Sequence, residues 1–478
     1  MAFSGLEIAK RALLAQRFGL DVTSNNIANA NTAGYSRRSA TYSEATPFNS
    51  QGNFVGTGVM VDKLRTYREE FFDREIRDSQ SRKSALETDD KIYNQIAGII
   101  GEPSDFGITE TVVDFFNAFS ELSVKPDSIG LRQNLITKTQ IMTDRFNTVS
   151  QKLSSTREEV LSDIYSSVDK VNELSSQIAE LNSAFASGKR LTLEEAQTAA
   201  DQRELKLEEL SQLTATKVTQ NDNGSVNVFL NGINIVTGAF ASEIKLVDEV
   251  NGEERNLRLL KIDGNGNTLN AIKPESGELE RLIYHYNNTL DPNENSEFSP
   301  SSMLNSFAEA TIEKVNSLTR SGYGLDDPDN GGAGSQRTFF DESEGNTNAI
   351  NFQINKELID DPRSIPLSSA ATESGNGNIA TSIAFLQNDT DYIDLVSPVE
   401  YFSGLVGELS AKANQSRNAL ATSKIVTEQL NNQREAIIGV NLDEEAVNLI
   451  KFQQAFEASS RMVTATNEIL STIINLGR

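Results

Sequence analysis

Apolar residues recur every seven positions at both ends of this chain, and that spacing limits what the ends can become. Leu6, Leu13, Leu20 and Ile27 form one series near the N-terminus, with Ala2 and Ala9 on its neighbouring edge. Leu442, Leu449, Phe456, Val463 and Leu470 form a second series near the C-terminus. Phe452 and Ile473 lie three positions further on, with Ala446 and Ile474 beside them. A seven-residue repeat marks a helix that packs along another helix. Ser459, Ser460, Thr466 and Asn467 interrupt the second pattern, so that stripe is half polar. Asn441 or Asp443 can cap the C-terminal helix, and Asp443, Glu444 and Glu445 place negative charge where the helix dipole favours it. Two single-stripe helices of this kind are expected to be marginal alone. They should pack against copies of themselves in a terminal coiled coil.

Residues 24–38 read SNNIANANTAGYSRR. Four asparagines, Asn25, Asn26, Asn29 and Asn31, fall within seven residues, and Gly34 and Tyr35 follow. Asparagine side chains bond to nearby backbone and favour turns over continued helix. One reading is therefore a polar helix end followed by a turn. At helical spacing Asn25, Asn29 and approximately Asn26 share a face beside the Ile27 stripe, and a second reading has their amides bonding a neighbouring subunit.

The interior carries a longer helical pattern, from about Asp127 to Phe185. Phe146, Leu153, Val160, Leu174 and Leu181 fall on one heptad series with Ser167 its polar member. Ile164, Val171, Ile178 and Phe185 fall on the partner series. Gly188 is a helix stop, and Leu191-Thr192 opens another helix through about Leu213. This predicts a helical hairpin inside a bundle. After Leu213 the period shortens. Thr216–Gln220, Ser225–Leu230, Ile233–Val236, Ile244–Val247 and Leu257–Ile262 read as strands, with turns at Asn223-Gly224, Asn231-Gly232 and Asn251-Gly252. Helical pattern resumes at Leu279–Tyr286, Met303–Leu318 and Ser397–Glu435.

The expected fold is multidomain and mainly α, with a terminal α-helical coiled coil and a helical bundle carrying a small inserted β domain. Residues 1–56 with 436–478 form the terminal domain. Residues 57–213 with 276–435 form the mainly helical domain with irregular loops, and residues 214–275 form the β insertion.

Composition removes most chemistries. The net charge of −25 opposes binding to nucleic acid or to anionic lipid. Cysteine is absent and histidine occurs once, at His285, so thiolate and His-rich metal centres are excluded. Hydrophobic residues are 37% and tryptophan is absent, as suits thin cores in an elongated protein. No run of ~20 apolar residues is present to span a membrane. Glu7, Lys10, Arg11 and Arg17 break the apolar centre that a secretory signal needs, so synthesis in the cytosol is expected. Asp263-Gly264-Asn265-Gly266-Asn267 opens like a calcium loop, but Thr268 and Pro274 stand where glycine and glutamate are required, which leaves a β-turn. Asp326, Asp327 and Asp329 with Gly331-Gly332 read as a solvated loop. His285 has no nucleophile motif and reads as structural. No catalytic residue, metal ligand or cofactor is expected, and the chain is not expected to be an enzyme.

ANANTAGYSRR at residues 28–38 resembles the Asn-rich Gly-Tyr signature of the bacterial flagellar rod/hook axial protein superfamily. VNLDEEAVNLIKFQQAFEASSRMVTATNEILSTIINL, at residues 440–476, is similar to the matching C-terminal signature. The interior resembles the hook-associated members at Asp201-Gln202-Arg203, Glu209-Leu210-Ser211, Ser225–Val228, Gly232, Ile235–Gly238, Val315-Asn316, Gly322–Leu325 and Asp361-Pro362. The resemblance covers most of the chain, with gaps near 245–275 and 320–380. It implies a structural junction subunit between hook and filament, assembled through Leu6, Leu13, Leu20, Asn25, Asn26, Ile27, Asn29, Asn31, Gly34, Tyr35, Leu442, Leu449, Phe452, Phe456, Val463, Leu470 and Ile473. The implied partners are copies of itself, the hook protein, the second hook–filament junction protein, a cytosolic export chaperone on the C-terminal region and the flagellar type III export apparatus. The implied location is the flagellum, outside the cytoplasm after export. A hook or distal rod subunit is the nearest alternative, and a secreted coiled-coil effector or adhesin is one from another class.

Overall fold

The structure, a computed structural model, describes residues 2–32, 34–50, 53–67, 69–101, 107–186, 192–251, 254–262, 268–293, 298–327, 335–343 and 347–476. Helix α1 (Ala2–Ala28) leads into strands β1 (Arg38–Glu44), β2 (Phe48–Ser50), β3 (Asn53–Val55) and β4 (Val59–Thr66). Helices α2 (Glu70–Ile100), α3 (Ile108–Val124), α4 (Ile129–Ala186) and α5 (Leu193–Leu213) follow. Strands β5 (Lys217–Gln220), β6 (Val226–Leu230), β7 (Ile233–Thr237), β8 (Phe240–Ala241), β9 (Glu243–Asn251), β10 (Glu254–Ile262) and β11 (Thr268–Ile272) come next. The chain returns to helix in α6 (Glu278–Tyr284), α7 (Pro300–Thr319), α8 (Lys356–Asp360), α9 (Asn378–Phe385), α10 (Pro398–Ile438) and α11 (Leu442–Leu476). The fold is mainly α and multidomain.

Helix α4 is the axis of the body. Its 58 residues extend roughly 85 Å. Phe146, Leu153, Ile164, Val171, Leu174 and Ile178 are fully buried along it, while Leu181 and Phe185 are half-buried. Helix α5 returns beside it, started by a capping box in which Thr192 and Glu195 bond each other's backbone N–H. Gly188 and Leu191, expected at this turn, lie outside the described residues. Helices α2, α3, α7 and α10 complete the bundle, with α10 running along α2. The core there is aromatic. Phe307 and Phe402 lie 4.6 Å apart between ring centroids, Phe340 and Phe352 4.7 Å, and Phe146 stacks on Phe307 at 5.5 Å. Such pairs add about 0.5–1.5 kcal/mol each beyond area burial. Arg132 is also buried here. Its guanidinium donates to the carbonyls of Pro126 and Ile365, both at 2.8 Å, and burial lowers its pKa to about 10.

Strands β5 to β8 form an antiparallel meander, and β9 to β11 form a second sheet in the order β11-β10-β9. Asn231 and Gly232 both take positive φ, the pairing that a tight two-residue hairpin requires. The ends of this region meet. The N–H of Ala215 donates to the carbonyl of Ser276 at 3.0 Å, and a Cβ on Gly277 would stand 2.6 Å from the Leu213 carbonyl oxygen. The sheets do not have a separate interior, because Val226, Val228, Ile235, Ile244 and Leu257 join the same apolar core as α4 and α5. Asp263–Asn267, the calcium-like stretch, and Gly252 lie outside the described residues.

The chain ends pack together, and one expected boundary needs correction there. Strand β1 pairs antiparallel with β4, from Arg38 opposite Thr66 to Glu44 opposite Val59. A terminal boundary at residue 56 therefore cuts a hairpin, and the unit continues to Thr66. Strands β1 and β4 escaped sequence reading because neither shows a regular apolar–polar alternation and neither has one fully buried face. Within the chain, α1 and α11 pack on each other. A Cβ on Gly5 would lie 4.0 Å from Thr466, one on Gly19 would lie 2.8 Å from the Phe452 ring, and Asn26 bonds Glu445. These three contacts share one antiparallel register. Gly19 is required at its place, since a side chain would also meet the Tyr42 hydroxyl at 2.6 Å.

Candidate assembly interface

Asn26 is 1% exposed at the last turn of α1, and its amide is fully used. Its oxygen accepts from the Arg38 backbone N–H at 3.1 Å and from the Tyr35 hydroxyl at 2.8 Å. Its nitrogen donates to the Arg38 carbonyl at 2.8 Å and to Glu445 at 3.2 Å. The side chain thus pairs with the backbone of residue 38 as a strand would and fixes how the turn leaves the helix. Burial pushes the Tyr35 phenol up to about 12, so it remains a donor across the neutral range. Arg37 bonds Glu444 and Glu445, both at 2.8 Å, on the first turn of α11. Arg38 stacks over Tyr35 at 5.0 Å and pairs with Asp201 of α5 at 3.0 Å. The motif therefore locks the end of α1, the start of β1, the N-terminus of α11 and the side of α5 into one node.

This is the local reading of the asparagines, extended by long-range partners. Asn29 donates to the Asn25 carbonyl at 3.0 Å and to its side-chain oxygen at 2.8 Å, and Asn25 donates to Glu194 at 2.8 Å. These bonds of Asn25 and Asn29 lie within one chain. Asn31 and Gly34 are exposed on the turn, and Gly34 has φ +77° against Leu205.

The apolar positions divide differently. Leu6, Leu13, Leu20 and Ile27 are half-buried and lie one residue, or about 100°, round the helix from Gly5, Gly19 and Asn26, which touch α11. They flank the seam instead of filling it. Leu449, Phe452, Phe456, Val463 and Leu470 are half-buried on the face that α11 turns to α1. Leu442 is 52% exposed. Ile473 has no described side chain. Sequence reading missed a second apolar stripe on α11. Val447, Ile450, Met462 and Ile469 are 51–65% exposed, with Ala458 and Ala465 between them; at 100° per residue Val447 and Ile450 lie opposite the α1 seam, while Met462 and Ile469 flank it, about 40° and 60° from Thr466. The i+3/i+4 spacing from Val447 onward carried the signal, but the stronger heptad overlay it. Helix α10 adds exposed Ile425 and Val426.

His285 is the other residue that needed a structural decision. It is fully buried, bonding Asp89 at 2.8 Å and Thr289 at 2.9 Å, and Asp89 also accepts from Arg281 at 2.6 Å. The Thr–His–Asp order has the form of a hydrolytic triad. Thr289 is only 2% exposed and sits one turn from His285 in the same helical segment, so its hydroxyl meets protein instead of substrate. Asp326 and Asp327 are paired with Arg337 at 2.9 and 3.0 Å. Asp329, Gly331 and Gly332 lie outside the described residues. Among the described residues no group of carboxylates and His could hold a metal ion, and no helix is long and apolar enough to cross a membrane.

Comparison with known proteins decides the family. Residues 93–336 match the flagellar hook-associated protein FlgK helical domain. The chain belongs to the flagellar hook-associated protein FlgK family. Its ends match two wider flagellar families, the flagella basal body rod protein over residues 6–35 and the flagellar basal body rod FlgEFG protein C-terminal segment over 437–476. Those stretches are α1 with the node, and α11. The flagellar hook-associated protein 1 of Bacillus subtilis is 28% identical over 99% of this chain and 98% of that protein. That of Escherichia coli is 25% identical over the same shares. The solved flagellar hook junction protein FlgK from Burkholderia pseudomallei shares the fold, with a TM-score of 0.62, 14% identity, and coverage of 76% of this chain and all of that one. As a FlgK-family member the chain is a structural component of the bacterial flagellum. The helical domain that defines the family contains the α4–α5 hairpin and the β region.

Proposed function

We propose that this chain is the subunit that joins hook to filament, and that it assembles through the outward surfaces of its terminal helix pair. The observation that carries this is the exposed stripe of Val447, Ile450, Met462 and Ile469 on a helix whose other apolar face is already covered by α1. Half-buried Leu6, Leu13, Leu20 and Ile27 extend the surface along α1. Apolar area of this kind is stabilised by a neighbour, and a repeated neighbour makes a tube. Copies of the chain provide the lateral contacts. The hook protein and the second hook–filament junction protein meet it at either end, and a cytosolic chaperone holds the C-terminal region before passage through the flagellar type III export apparatus. The role is structural and not enzymatic, and it uses no cofactor. The terminal unit comprises residues 1–66 with 439–478, and the body divides into a helical part and the β insertion at 214–275.

Ile450→Glu with Met462→Glu tests this. Both side chains are exposed, so the isolated chain should keep its helix content and melting temperature while cells fail to retain filaments. Filaments at wild-type number and length on such cells would overturn the proposal.

A further inference from the structure

Asp201-Gln202-Arg203 remains without a role in assembly, yet both charged members are buried, at 7% and 6% exposure. Two residues along a helix point about 200° apart, so Asp201 and Arg203 leave α5 on nearly opposite sides. Asp201 takes Arg38 of the terminal unit at 3.0 Å. Arg203 donates to Asn182 of α4 at 3.0 Å and to the Gly224 carbonyl at 2.9 Å, and it stacks over Phe185 at 4.9 Å. Asn182 is itself fully buried and donates to the carbonyls of Val226 and Gly238, both at 2.8 Å. One turn of α5 thus grips the assembling ends with one residue and the β5–β8 sheet with the other.

The contact on the terminal side is narrow. Half-open clefts border it, one of about 310 Å³ among Phe18, Val22, Leu64, Arg38 and Glu194 and one of about 240 Å³ among Tyr35, Leu205, Glu204, Arg434 and Gly439. A contact bordered by open clefts is not close-packed on its flanks, which leaves the terminal unit room to tilt. Ion pairs then hold its orientation. Arg77 with Glu204 and Arg434 with Glu208 anchor the same helix to α2 and α10.

We infer that α5 is the coupling element between the assembling chain ends and the outer β insertion, with Asp201 and Arg203 as its two positioning residues. Docking of the ends on a neighbour biases the tilt of the terminal unit. Asp201 passes that bias to α5, and Arg203 passes it to the turn at Gly224 and the sheet beyond. Coupling of this kind is reciprocal.

Hydrogen exchange on the isolated full-length chain tests it, with no dependence on assembly, so failure here is distinct from failure of the junction reading. Asp201→Asn should speed exchange in α1 and α11 by more than ~100-fold, the scale set by breaking a buried ion pair. It should also speed exchange at residues 224–238 by at least ~3-fold, the smaller response of a coupled site. Arg203→Met should act in reverse, loosening residues 224–238 most and α1 and α11 as well. Helices α3 and α7 should keep wild-type exchange in both variants. If each substitution loosens only its own side, the coupling is refuted. Loss of protection in α3 and α7 alongside the rest would also refute it, because both residues would then be general supports of the core.

Discussion

Replacing Asn26 by leucine keeps the size of the side chain and removes all four of its hydrogen bonds. The groups left behind are the Arg38 N–H and the Arg38 carbonyl, while the Tyr35 hydroxyl retains Asn25 and Glu445 retains Arg37. A buried polar group that loses its partner costs about 1–3 kcal/mol. Two such groups give at least about 2 kcal/mol, or a rise of ~30-fold or more in opening of the node. That cost falls on the terminal unit, since neither group touches the aromatic core. Hydrogen exchange on the full chain should show faster exchange through α1, β1 and α11, with α3 and α7 unchanged. Asn29→Leu is the control. It loses its bonds to Asn25 and the one it accepts from the Thr32 hydroxyl, all local and partly exposed, at a cost of about 1 kcal/mol, and should leave α11 unaffected. Equal exchange in wild type and Asn26→Leu would refute the node, as would an Asn29 effect as large as that of Asn26.

Phe456→Asp directs a carboxylate at the α1 seam, so it should open the terminal pair in the isolated chain and lower its helix content by circular dichroism, before any question of assembly. Deleting residues 216–274 behind a short Gly/Ser linker leaves the chain ends well placed, but it uncovers the apolar side of α4 that the sheets bury. The expected product binds a hydrophobic dye and aggregates, and a soluble, dye-silent product would show that the sheets fold apart from α4. Burial depresses the His285 pKa, so the folded chain binds fewer protons than the unfolded chain between the depressed value and the ordinary ~6.5. The stability this histidine contributes is present above ~6.5 and is lost as pH falls below it, by up to ~1.4 kcal/mol per pH unit. His285→Gln should flatten that part of a stability–pH curve from denaturant unfolding, and an unchanged slope would rule the histidine out as its source.

The sequence alone determined the features whose cause is local. The heptad of Phe146 to Leu174 specifies which side of α4 is buried, because 3.6 residues per turn carries those positions to one face in any context. Thr192 with Glu195 starts α5, Asn441 caps α11 through the N–H groups of Asp443 and Glu444, and Asn231-Gly232 turns β6 into β7. Each of these needs only neighbours a few residues away. Periodicity specifies a face but not what covers it, and there the tertiary structure decided. It made α11 the partner of α1, set their register through the missing side chain of Gly19, and left a different stripe of α11 exposed. It placed Asn26 against a glutamate 419 residues away and Arg38 against an aspartate 163 residues away. An amide or a carboxylate in a sequence reads as a surface group, since such groups are usually solvated. Only the closure of distant segments around them removes the water and makes them the bonds that orient the ends of the chain.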